Sequence, residues 1–218
     1  MKVLLLFVWF IVLGFNSVDA SESKMFKASL TNLTKGQVMT PPVWVVHQPS
    51  FALFTLGEEA SEGLKRQARD GKVELLVEEL GSANGVIRTI VGGGPIMPGQ
   101  TQEVVFSGSP NDRLSVASML ASTNDAFASH RGLPLNPSSV KKSGKKQVIF
   151  LYAYDAGAET NNESCDYIPG PPCGQEHVDT IGNEGFVHFH PGLDLLGDLD
   201  SSHTFAGIAA RVSIERIK

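Results

Sequence analysis

The sequence predicts an all-β fold, an antiparallel β-sandwich with a short helical insertion after the first strands. Three features point there. At least six β-rich segments are separated by turn-forming clusters such as GGGP and SGSPND. The closing ARVSIERI alternates apolar and polar residues, as a strand with one wet face does. Helical grammar is confined to one stretch, from Glu58 to Gly81.

In chain order, Phe26–Leu33 (FKASLTNL) alternates as a half-buried strand. GQVMTPPVWVVH follows, and its paired prolines, Pro41 and Pro42, prevent a helix and leave Val43–Val46 extended. EEASEGLKRQARDG and KVELLVEELG then read as two short helices joined at Asp70-Gly71. The second sets Val73, Leu76, Val77 and Leu80 on one face, and Gly71 and Gly81 suit the two helix ends. Strand grammar returns in VIRTIV, QEVVFS, RLSVASML, QVIFLYAY, GFVHFH and IAARVSIERI. No repeat and no Gly/Ser/Pro-rich linker interrupts residues 21–218, which read as one domain.

The 218 residues are 42% hydrophobic and 19% charged, an ordinary globular balance. The first twenty, MKVLLLFVWFIVLGFNSVDA, have a basic start, an apolar run from Val3 to Leu13 and small residues at the end. That layout is a secretory signal peptide, residues 1–20, with cleavage after Ala20. A bilayer span needs about 20 apolar residues, so no membrane span is expected. A net charge of −5 lacks the basic footprint that nucleic acid requires. In a secreted chain, Cys165 and Cys173 of CDYIPGPPC are expected to form a local disulfide.

Two stretches carry the most chemical information. SMLASTNDAFAS and YAYDAGAETNNE each run from a strand into an acidic, Asn-bearing loop. If the strands before them lie side by side, Asp125 and Asp155 converge, with Glu159, Asn161, Asn162 and Glu163 around the same point. Clustered carboxylates raise one another's pKa unless a cation joins them, and hard oxygen ligands suit calcium. The residues alone also fit solvated Asx turns, and the loop does not match the EF-hand pattern.

These motifs, taken with FKASLTNLTKGQVMTPPVWVVH, IPGP, EGFVHFHPG and ARVSIERI, resemble the spondin N-terminal domain family, the module of F-spondin and mindin. STNDAF occupies the place of the family's SPDW-type motif, with Ala126-Phe127 replacing its Trp-Phe type pair, and YDAG matches almost letter for letter. The resemblance implies a β-sandwich with bound calcium and an extracellular matrix or adhesion role. It also implies calcium ligands at Asp125, at Asp155 and, in TQEVVF, at Glu103.

GFVHFH sets His188 and His190 two apart on a strand, hence on one face, where a zinc ion is conceivable with His177 or His203. A hydrogen-bonded polar face is the plainer reading of that pair. KKSGKK, Lys141–Lys146, is a lysine-bearing turn that can attract a polysaccharide. Asn32-Leu33-Thr34 and Asn162-Glu163-Ser164 are candidate glycosylation sequons. No G-x-S-x-G, H-E-x-x-H or nucleotide-binding loop occurs. The reading is a secreted calcium-binding β-sandwich without catalysis, whose partner is an extracellular protein or polysaccharide. The alternative is a metal-dependent extracellular hydrolase using the carboxylates or the His188/His190 pair.

Overall fold

The computed structural model describes residues 23–135, 145–174 and 182–217. Residues 1–20, expected from the sequence to be a signal peptide, lie outside them, as do His177 and Lys141–Gly144 of the lysine turn. Among the described residues, nine strands are all paired antiparallel. They are β1 (Lys24–Asn32), β2 (Val43–His47), β3 (Val86–Val91), β4 (Thr101–Gly108), β5 (Arg113–Met119), β6 (Ala126–Pro134), β7 (Lys146–Asp155), β8 (His188–Phe189) and β9 (Ile208–Arg216). Two helices, α1 (Glu62–Asp70) and α2 (Glu74–Ser82), sit between β2 and β3. The predicted class holds.

The sandwich is made in one piece. A single sheet runs β3-β2-β5-β6-β7-β9-β1-β4, with β8 beside β7, and curls so that one face closes on itself. Period-two alternation places Trp44, Val116, Ala128, Leu151, Val212 and Leu30 on that inner face, in one buried cluster. The sheet's two ends meet across the fold: Gln102 of β4 donates its side-chain amide to the Gly94 carbonyl just after β3.

The outer face of β2, β5, β6 and β7 has its own core. Val43, Val45, Ala117, Phe127 and Tyr154 pack with Leu64 and Ala68 of α1 and Leu76 and Leu80 of α2. Ser61 caps α1 by accepting from the Leu64 N–H, and Gly71 ends it in the left-handed region at φ 69°. Gly81 does not end α2: the helix continues to Ser82 and closes at Ala83.

Two strands differ from expectation. β6, AFASHRGLP, has mostly small or helix-neutral residues, with Gly132 at φ 129° and Pro134 at its end, so it carries little strand signal. It is a strand because β5 and β7 supply ladders on both sides. GFVHFH contributes only the two residues of β8.

Candidate metal centre at the Asp125–Asp155 end

The strands that precede the two aspartates, β5 and β7, are not neighbours. β6 lies between them, and it starts immediately after Asp125. Ala126 pairs with Asp155 across β6 and β7, so the aspartates are brought together by the strand that follows Asp125. Asp155 continues the inward set of β7 after Leu151 and Ala153, and both aspartates are fully buried.

One short loop holds both carboxylates. Asp125 Oδ2 accepts from the Ala158 and Glu159 N–H groups at 2.6 and 3.1 Å. Asp155 Oδ1 accepts from the Gly157 N–H at 2.7 Å, and Oδ2 from Asn161 Nδ2 at 2.5 Å. Glu159 is buried in the same loop. Upstream, Thr123 Oγ1 accepts from the Ala126 N–H and shapes the STND turn, while Asn124 donates to Asn162 Oδ1 and accepts from the Glu163 N–H. The Asn-rich wording of both motifs is therefore structural: it ties two loops together.

Gly157 brings in a third segment. Its φ is 64°, and a Cβ there would stand 2.3 Å from the Phe186 carbonyl oxygen, so only glycine lets residues 185–187 cross this closely. The crossing seats His188 directly opposite Asp155 in the β7–β8 ladder. His188 Nε2 lies 3.6 Å from Asp155 Oδ1. Asp155, Glu184 and His188 each offer a ligand atom within 4.8 Å of the others.

The electrostatics are those of a crowded anionic end. Burial, then the charge of Asp155, pushes the Asp125 carboxyl well above the usual carboxylate range, with Glu184 adding to it. Burial and the Asp155 charge raise Glu184 as well. Among the described residues, no lysine or arginine forms an ion pair with Asp125 or Asp155, and Asp125 Oδ1 has no hydrogen-bond partner. Two carboxyl groups held together in the interior, one of them with an unpartnered oxygen among the described residues, favour a cation.

Glu103 does not reach this end. It pairs with Ser29, which registers with Ser213 and then with Val148, seven residues before Asp155 on β7. Seven residues of strand span roughly 23 Å. Glu103 is half-exposed on β4, accepting from Ser29 Oγ at 2.9 Å and facing Lys27 at 3.5 Å. Its assignment as a ligand is corrected by that register.

The two histidines of the His188/His190 pair have different partners. His190 is buried, accepts from the Gly192 N–H through Nδ1, and is held down to about 4 by burial. His203 pairs with Asp200 at 3.1 Å instead. Glu184 escaped the sequence reading, because only the Gly157 crossing brings it to Asp155; no local spacing signals that.

Cys165 and Cys173 are disulfide-bonded, and Cys165 N–H also donates to Asp198. The two sequons diverge. Asn32 is buried and spends both amide hydrogens on the Gln37 and Ile96 carbonyls, leaving no room for a glycan. Asn162 is exposed. Peptide mass spectrometry of protein secreted from a glycosylating host is expected to find sugar at Asn162 and none at Asn32; occupancy at Asn32 in folded protein would contradict the burial.

The Spondin_N family model matches residues 38–180, from the approach to β2 through the Asp125 and Asp155 loops and the disulfide. The chain belongs to the spondin N-terminal domain family. That family is one of non-catalytic extracellular domains. No curated protein matches the chain. The matched stretch of this spondin domain contains both aspartates and the Gly157 turn, and it ends before Glu184 and His188.

Beside the anionic end runs a groove of about 730 Å³ between the loop after β2 and the outer face of β7. Phe51, Phe54, Arg131, Phe150 and Tyr152 line it, and the Arg131 guanidinium sits 5.6 Å from the Phe54 ring centre. Phe189, next to His188, stacks on Tyr154 and meets Tyr152 edge-on. The groove and the anionic end are therefore joined through β8. Among the described residues no helix is long and apolar enough to cross a membrane.

Proposed function

We propose that this spondin domain is a secreted, non-enzymatic binding module of the extracellular matrix or cell surface, with a calcium ion fastening its Asp125–Asp155 end. The observation that carries the proposal is the pair of fully buried carboxylates on adjacent strand ends, with Asp125 Oδ1 unpartnered among the described residues. Calcium takes six to eight oxygens at about 2.3–2.6 Å in flexible geometry, which suits carboxylates presented by a loop. Asp125 and Asp155 are the principal ligands, and Glu159 and loop carbonyls supply further oxygens.

The ion neutralises charge that the fold otherwise concentrates, and its binding energy becomes folding energy because the unfolded chain has no such site. A partner, an extracellular protein or polysaccharide, contacts the fastened loops and the aromatic groove beside them. Exposed Phe150, Tyr152 and Phe189 supply apolar area, and Arg131 supplies charge.

The test is thermal melting of the chelator-stripped protein during calcium addition. The melting temperature is expected to climb with calcium concentration, by about 2.7 kcal/mol of stability at a hundredfold excess over Kd. At roughly 2–4 °C per kcal/mol for a chain of this size, that is a clear shift. A melting curve indifferent to calcium would reject the fastening role.

A further inference from the structure

We propose that His188, Glu184 and Asp155 form a second cation position that takes a borderline transition-metal ion of the zinc class. It shares Asp155 with the calcium reading, and rests on that reading only in taking Asp155 as a ligand. Its other donors are outside the loop that holds Asp125.

The argument starts from the His188 ring. Its Nδ1 lies 3.0 Å from the Phe189 carbonyl oxygen. A carbonyl only accepts, so Nδ1 carries a proton, and whenever the imidazole is neutral its Nε2 presents a lone pair. That lone pair faces Asp155 Oδ1, itself an acceptor, across 3.6 Å. Two acceptors turned toward each other repel unless a cation lies between them.

A proton can serve as that cation, but an N–H···O bond spans about 2.7–3.2 Å, shorter than this gap. A metal fits it better. Ligand atoms at about 2.1 Å from a common ion, subtending a tetrahedral angle, stand roughly 3.4 Å apart. Backbone donation from Nδ1 is also how metal-bound histidines are commonly oriented.

Glu184 supplies the third donor, with all three ligand atoms within 4.8 Å of one another. Its Oε2 is buried and has no hydrogen-bond partner among the described residues. A separate observation points the same way. Asp125 Oδ1, on the residue that precedes the strand paired with Asp155, is likewise buried and has no hydrogen-bond partner among the described residues.

The donor set decides the class of ion. Two carboxylates and one imidazole suit zinc, cobalt or manganese, whereas calcium and magnesium prefer oxygen alone. Three protein ligands leave a coordination position open, and His188 and Glu184 are both partly exposed, so an ion can enter from solvent. His190 is not a ligand here: it accepts from Gly192 N–H through Nδ1, which puts its proton on Nε2.

Cobalt(II) reports the site directly, since its visible absorption registers nitrogen ligation and low coordination number. The full-length secreted protein, stripped with chelator, is titrated with cobalt alone and then challenged with zinc. One equivalent should bind with visible absorption that zinc displaces. His188→Ala and the conservative Glu184→Gln should each weaken binding by roughly tenfold or more. Glu103→Gln, in its distant ion pair on β4, should retain it. Absent absorption, or wild-type affinity in both site variants, would overturn the proposal. Cobalt binding in a protein whose melting ignores calcium would support this position while removing only the calcium reading.

Discussion

Asp125→Asn is expected to stabilise the spondin domain in chelator and destabilise it in calcium. The variant melts above wild type without metal at neutral pH, and below wild type when both are saturated with calcium. Burial and the Asp155 charge raise the Asp125 carboxyl in the folded protein, so the folded form holds a proton that the unfolded chain has already released. Metal-free stability from this group is therefore fully present below the ordinary carboxylate pKa, about 4, and is lost as pH rises from there through the folded value. An asparagine keeps an oxygen for the Ala158 and Glu159 N–H groups and carries no charge to decline.

In chelator the gap between variant and wild type should thus widen from acidic to neutral pH. His190 works against this in absolute melting temperature. Its folded pKa of about 4 is below the unfolded value, so its contribution is present above about 6.5 and lost as pH falls toward 4. Comparing variant with wild type at each pH cancels that background. With calcium, the variant has lost a charged ligand, and the reversal amounts to about 2–3 kcal/mol at a hundredfold excess of ion. A variant that melts equally far below wild type in both conditions would reduce Asp125 to a loop anchor.

Phe127→Ala is expected to give the larger loss of stability. Phe127 follows Asp125 by two residues, is fully buried, and packs edge-on against Phe54 at 5.2 Å while touching Tyr154 at 5.8 Å. The ring fills the second core, between the outer sheet face and the two helices. Removing such a ring costs about 3–5 kcal/mol, or roughly 6–20 °C in Tm at this chain length. Because the same strand carries Asp125, calcium affinity should fall with it. Differential scanning calorimetry with and without calcium measures both; a loss under about 1 kcal/mol would mean the helical layer is not docked as described.

Much of this was legible in the sequence because it is local. The 3, 4, 7 spacing in KVELLVEELG marks α2, and Leu76 and Leu80 are the residues it buries. The alternation in ARVSIERI marks β9, with Val212 and Ile214 inward. The two aspartates stood out because each ends a β-rich run in an Asn-bearing loop. What stayed hidden is tertiary. β6 is written in small residues and forms only between two ladders, so the route by which Asp125 meets Asp155 could not be read. Glu103 resembles a ligand in TQEVVF, yet pairing register carries it away along the sheet. Glu184 and His188 reach Asp155 through a crossing that only Gly157 permits, and Asn32 matches a sequon while serving as a buried clasp.

Anomalous diffraction from crystals grown in calcium tests the account most directly. It predicts a difference peak within about 2.3–2.6 Å of both an Asp125 and an Asp155 carboxylate oxygen, the calcium–oxygen bond range. Crystals saturated with calcium that show no peak there, or a peak bonded to neither aspartate, would contradict it.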